Sequence, residues 1–317
     1  MIRIKTVCAY RLITNKLSSS LYRWVIVSLF GIALLISFGA NATSEQQHKI
    51  SFVAPGIAYH PLAFSPHDKK TTPTKNDLIR DLRTLHNTGF KSLVTYAANG
   101  ILGSIPKLAR QEGFKGTLIM GIWDPSSSEE WRNAIAQAPY VDGYCLGNEG
   151  LGIRYSQQLL GKRMNQLRKA TGLPVTTSEP IDSYLKGANR DWLLANSDWI
   201  FPLAHPFWAN QPKPKEAVDW IIARYDYLAA NTGATVILKE AGVPTSGADD
   251  YSEPSQVSFF TALESAHLPF FYFEAFDQPW KGDTQKYHEV EAYWGIYHSD
   301  GTPKEIVPWL RGQFANE

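Results

Sequence analysis

The chain has 317 residues, enough for one large α/β barrel or for two ordinary domains. Its 31 Lys and Arg offset 30 Asp and Glu to a formal charge of +1. Without residues 1–42, which hold five bases and no acid, 26 bases face 30 acids and the charge is −4; nothing in that balance recruits nucleic acid.

Residues 1–24 carry Arg3, Lys5, Arg11, Lys16 and Arg23, and the run VIVSLFGIALLISF follows from Val25 to Phe38. A basic stretch ahead of an apolar one is the pattern of an export leader, and Ala40-Asn41-Ala42 supplies small residues for cleavage after Ala42. The apolar run, residues 25–40, falls short of the roughly 20 residues that span a bilayer, which favours a cleaved signal peptide over a retained membrane anchor. The rest of the chain is then exported: periplasmic or secreted after cleavage, or held at the inner membrane with its folded part outside. Residues 43–49 read as a short polar linker and residues 50–317 as one domain. Cys8 and Cys145 lie on opposite sides of the leader boundary, so no internal disulfide is available after export and stability rests on one large core.

From residue 52 onward, short apolar runs alternate with amphipathic stretches. The predicted strands are FVAPGIAY (52–59), SLVTYAA (92–98), TLIMGIW (117–123), GYCLGNE (143–149), VTTSEP (175–180), WIFPLAHPFW (199–208), TVILKEAG (235–242) and FFYFEAFDQPW (270–280). Each is nearly continuous in apolar character, as a strand buried on both faces should be. Between them, Thr74 with Asp77 reads as a capping box for a helix carrying Leu78, Leu82 and Leu85, which Gly89 stops. Ser128 is placed to cap a helix with Trp131 and Ile135 inward, and the stretch 155–169 aligns Leu160, Met164 and Leu167. Helical patterns recur at 215–230, 254–266 and 303–314. Eight strand-helix units without a long linker or repeat predict a single (β/α)8 TIM barrel. A doubly wound open sheet would carry a Gly-rich phosphate turn after its first strand, and PGIAYHPLAF has none.

In such a barrel the active site lies at the C-terminal ends of the strands, so polar residues that close an apolar run are the informative ones. These are Tyr96, Trp123 with Asp124, Asn148 with Glu149, Glu179, His205, Glu240, and Glu274 with Asp277. Glu149 closes strand four and Glu240 strand seven, on opposite sides of the mouth. Two carboxyls facing each other across a cleft are what glycosidic bond cleavage requires, one to protonate the leaving oxygen and one to attack the anomeric carbon. The 10 Trp, 15 Tyr and 15 Phe provide rings on which sugar faces can dock. The eight histidines show no pair with metal spacing, and no Gly-x-Ser-x-Gly elbow is present, so neither a metal, a cofactor nor acyl transfer is expected.

The motifs PGIAYHP, LGNE, HPFW, KEAGVPTSG and YFEAFDQPWK resemble those of glycoside hydrolase family 17, the β-1,3-glucanases, from about Phe52 to the C-terminus. The resemblance implies a retaining barrel with Glu149 as acid/base and Glu240 as nucleophile, their carboxyls about 5 to 5.5 Å apart. It implies Asn148 as the partner of the sugar 2-hydroxyl, Tyr96 in the same subsite, and Lys281 and Glu291 as supporting residues of the strand-eight loop. Lys281, reaching Glu240, would help keep it charged, while an apolar setting and the charge of Glu240 would raise the pKa of Glu149. Two positions depart from the pattern: Val243 stands where relatives carry an aromatic ring, and Gln278 where an acid is usual.

Further candidates for the sugar side are His205 and Phe207 of HPFW, Glu179, and Trp280; each has a packing or salt-bridge alternative. The expected protein is an exported, monomeric glycosidase acting on β-1,3-glucan without cofactor. Two other readings stay open: a membrane-attached β-1,3-glucan transglycosylase using the same covalent intermediate, and a non-catalytic glucan-binding barrel.

Overall fold

The computed structural model describes residues 50–68, 71–211, 213–283 and 289–314. The expected leader (1–42) and linker (43–49) lie outside the described residues. Each of the eight apolar runs contains a parallel strand: β1 (Gly56–Ala58), β2 (Ser92–Val94), β3 (Leu118–Ile122), β4 (Gly143–Asn148), β5 (Val175–Ser178), β6 (Leu203–Ala204), β7 (Leu238–Ala241) and β8 (Phe270–Tyr272). Pairing runs β5-β4-β3-β2-β1-β8-β7-β6, and the parallel bridge between Pro180 and Leu203 joins the two ends into a ring. The strands are shorter than the apolar runs, which continue into the loops at one or both ends.

Residues alternate between two cores, as strand geometry demands. Ala58, Val94, Ile119, Cys145, Ile237 and Phe271 fill the interior of the ring, whereas Ile57, Leu93, Met120, Tyr144, Leu238 and Tyr272 face the surrounding helices. Cys145 is free and buried.

The helices that pack on the ring begin and end on chemistry visible in the sequence. Helix α1 (Lys75–Thr88) opens with the reciprocal Thr74–Asp77 capping box and ends at Gly89 with φ 111°. Its Leu78, Leu82 and Leu85 are fully buried, each contributing about 1.5–3 kcal/mol of transfer free energy. After α2 (Ile105–Gln111) comes α3 (Ser128–Gln137), where Trp131 packs against the core as expected but the structure corrects the rest: the cap is Ser127, the fully buried residues are Glu130 and Ala134, and Ile135 is exposed. Glu130 faces inward because its carboxylate accepts the backbone N–H groups of Ala98, Trp123 and Asp124, at 2.8, 2.8 and 3.0 Å, tying the loops after β2 and β3 together. Helix α4 (Gln157–Thr171) buries Leu160, Met164 and Leu167 as expected. Among the described residues no helix is long and apolar enough to cross a membrane.

Candidate active site

The end of β4 is built to bring a carboxylate out of the core. Pairing with β5 shifts register between Cys145 and Asn148, Gly147 takes φ 80°, and Glu149 takes φ 48°, a left-handed conformation rare for a non-glycine residue. The turn is pinned from both sides: Glu149 N–H donates to Ser178 O at 2.9 Å, and Glu179 Oε1 accepts from the N–H groups of Gly150 and Leu151 at 3.1 and 2.9 Å. Glu149 thereby reaches solvent at the mouth, while the surrounding walls crowd its carboxyl closely enough to desolvate it.

The end of β7 carries a second irregularity, a register shift against β8 between Leu238 and Ala241. Bulges of this kind re-aim side chains beside active sites. Here Lys239 and Glu240, adjacent in sequence and 1% and 2% exposed, both reach the centre of the mouth. Glu240 Oε2 lies 3.3 Å from His205 Nε2, and Oε1 lies 3.2 Å from Lys239 Nζ. The same ammonium donates to Asn148 Oδ1 and sits 4.4 Å over the ring of Tyr96.

These surroundings tune the two acids in opposite directions. Burial raises the pKa of Glu149, and the negative charge of Glu240 adds to the rise. Burial would also raise Glu240, but Lys239, the hydrogen bond and charge of His205, and Lys281 outweigh it and hold the carboxyl at about 2.

The other expected residues divide. Tyr96 is buried and stacked on His60 at 3.9 Å; burial first, then the charges of Glu240 and Glu274, holds its hydroxyl proton firmly in place. Glu274 is fully buried, paired with Lys281 Nζ at 2.6 Å and near His60 Nδ1 at 3.3 Å. Lys281 therefore binds Glu274 and acts on Glu240 only through its field; the direct cation is Lys239. Glu291 lies in a cleft of about 500 Å³ with Glu149, His205, Trp208 and Trp220. Trp280 stands over a separate surface groove with Leu62 and Phe64, its Nε1–H donating to Gln278 Oε1 at 2.7 Å. Gln278 also donates to Pro61 O at 3.4 Å, a second bond that a carboxylate in its place could not make.

Three further candidates make structural contacts. Glu179 pins the Glu149 turn through Oε1. Asp277 Oδ1 accepts from buried Lys304 Nζ at 2.7 Å and from Gly295 N–H at 2.9 Å. Phe207 packs edge-on against Trp208, Tyr251 and Trp294. Sequence reasoning missed Lys239, His60 and Arg154, the last of which donates to Asn148 O and covers the Trp123 ring at 4.1 Å. For Lys239 a signal existed: a lone cation inside the apolar run TVILKEAG. Among the described residues, no group of three or more His, Cys, Asp and Glu is placed to hold a metal ion.

Residues 56–295 match the BtgE/BtgC glycoside hydrolase domain family. The chain belongs to that family. A glucan 1,3-beta-glucosidase of Arthroderma benhamiae is 28% identical to this BtgE/BtgC-family chain over 72% of it and 83% of the relative. Among solved structures, a glycoside hydrolase family 17 beta-1,3-glucanosyltransferase from Rhizomucor miehei aligns with a TM-score of 0.65 at 20% identity, over 79% of this chain and 95% of that one. An active-site mutant of that transferase has been solved with laminaritriose. An endo-laminarinase from Formosa aligns with a TM-score of 0.68 at 17% identity, over 81% and 86% of the two chains. The likeness to family 17 read from the motifs of this BtgE/BtgC-family chain therefore stands, and the solved structures share its barrel.

Proposed function

We propose that the protein is an exported retaining glycoside hydrolase that cleaves β-1,3-linked glucan by double displacement, with Glu149 as acid/base and Glu240 as nucleophile. The observation that carries this reading is the opposite tuning of two carboxyls at one barrel mouth, Glu149 pushed up by burial and Glu240 held at about 2. At neutral pH Glu240 is ionised and free to attack the anomeric carbon, while Glu149 delivers its proton to the glycosidic oxygen as the C–O bond breaks. The resulting glycosyl ester on Glu240 is opened by water, whose proton returns to Glu149, and the anomeric configuration is retained. Asn148 hydrogen-bonds the 2-hydroxyl, a contact that strengthens at the transition state.

Support for β-1,3-glucan comes from the family and from relatives named for that linkage. Support for export comes from the basic and apolar character of residues 1–42. The test is incubation with laminarin-type β-1,3-glucan beside β-1,4 and β-1,6 controls, with products resolved by size and anomeric form. Expected are shorter β-1,3 products released first as the β-anomer; α-anomer release, or cleavage of the controls alone, refutes the reading.

A second reading, a membrane-attached transglycosylase, draws on the transferase among the structural relatives. In it a sugar hydroxyl replaces water in the second step. Products longer than the substrate at high oligosaccharide concentration, and full-length protein in the membrane fraction, favour it.

A further inference from the structure

The proposed mechanism assigns nothing to Lys239, yet its ammonium occupies the geometric link between the two catalytic strands. It is 1% exposed, donates to Asn148 Oδ1, pairs with Glu240 Oε1 at 3.2 Å and lies 4.4 Å over the Tyr96 ring. The bond to Asn148, the ion pair with Glu240 and the cation–π contact with Tyr96 hold the ammonium from three sides. Asn148 is itself 8% exposed, so its amide has little freedom to turn.

We propose that Lys239 is a positioning residue that fixes the Asn148 amide so that only its Nδ2–H donors face the sugar 2-hydroxyl, while neutralising Glu240 from the side opposite His205. The inference rests on the glycosidase reading above. An ammonium has donors and no acceptor, so the Asn148 atom that faces it must be the carbonyl oxygen, whatever the ligand does. The amide nitrogen then points to the other side, where it donates to O2 of the bound sugar, and the 2-hydroxyl proton is left to bond the Glu240 carboxylate. A chain with an apolar residue at this position would leave the amide able to present either end, and the contact to O2 would lose its polarity.

The charge half of the role has a definite sign. Around Glu240 stand Lys239 on β7, His205 after β6, Glu274, Lys281 and Glu291 after β8, Cys145 on β4 and Glu149 just after it, Tyr96 after β2 and His60 after β1. Of the cations around Glu240, Lys239 comes nearest, its Nζ 3.2 Å from Oε1. Burial pushes the carboxyl up, so loss of Lys239 raises its pKa and moves the acidic limb of the rate profile to higher pH.

The test compares kcat/KM for 4-nitrophenyl β-laminaribioside with that for the analogue lacking the 2-hydroxyl on the ring that bears the aryl group. In wild type the parent substrate is favoured. In Lys239→Met the ratio falls by about 10- to 100-fold toward that of Asn148→Ala, and the acidic limb moves up. Lys239→Gln, neutral and able to present either an N–H or an oxygen to Asn148, moves the limb as the Met variant does and lowers the ratio less than it does. Thermal melting identifies which variants fold; if one does not, the other carries the test. A wild-type ratio in folded Lys239→Met, or an unmoved acidic limb in either folded variant, overturns the proposal. A wild-type protein inactive on the parent substrate would instead count against the glycosidase reading.

Discussion

Glu240 is a carboxylate that burial alone would neutralise; it stays charged because cations and a hydrogen bond surround it. Exchanging it for Gln keeps the volume and removes the nucleophile. Glu240→Gln is therefore expected to lose several orders of magnitude in kcat, with laminarin-oligosaccharide affinity by calorimetry within a few-fold of wild type; equal loss of binding would argue against a chemical role. Glu149 acts in its protonated form, so activity falls as pH rises through its pKa, and the upward shift imposed by burial and Glu240 extends activity to higher pH than an ordinary carboxyl allows. Glu149→Gln should abolish that basic limb. With a dinitrophenyl glycoside, whose leaving group needs no proton, the variant should still form the glycosyl ester and accumulate it, visible as a burst of released phenolate.

The turn after β4 is the element on which Glu149 depends. Gly147 lies at φ 80°, and a Cβ there would overlap the Tyr155 hydroxyl. Gly147→Ala is expected to cost on the order of 1–3 kcal/mol, read as a lower melting temperature, and to reduce kcat more than KM because the turn can no longer present Glu149. This element also shows what the sequence could tell. Buried parallel strands are continuous apolar runs, so all eight, and Glu149 and Glu240 at their mouths, were legible. The whole inward face of α3 was not, because Glu130 turns in to bind three backbone N–H groups that periodicity cannot foresee. Lys239 stood out as a lone cation in an apolar run, but its place was not legible: strand alternation sends neighbours to opposite faces, and the irregularity in β7 accompanies the arrival of both Lys239 and Glu240 at the mouth. The bond between Asp277 and Lys304 was not legible either, because the two lie 27 residues apart along the chain.

Across the whole molecule, buried carboxyls pull the stability of the barrel in opposite directions as pH changes. Glu240, depressed to about 2, contributes stability that is present above its unfolded pKa and is lost as pH falls toward 2. Asp81 and Asp277 are raised to about 6, burial being the largest cause for each. Between about 4 and 6 the folded state binds their protons more tightly than the unfolded chain does, so their ionisation lowers stability as pH rises through that window. Asp277 is offset by Lys304 at 2.7 Å, whereas the cation nearest Asp81 is Arg80 at 3.8 Å, 57% exposed, which makes Asp81 the cleaner test. Asp81 Oδ2 accepts from Tyr59 OH at 3.1 Å and Leu62 N–H at 2.9 Å, bonds that the Asn oxygen can also accept. Asp81→Asn should therefore raise stability at pH 7.5 by about 1–2 kcal/mol, or a few degrees in melting temperature. At pH 4.5, where the folded wild type already carries the proton, the gain should vanish. Melting curves at the two pH values decide it: a variant less stable at both would mean that the Asp81 charge supports the link between α1 and the loop after β1 rather than straining it.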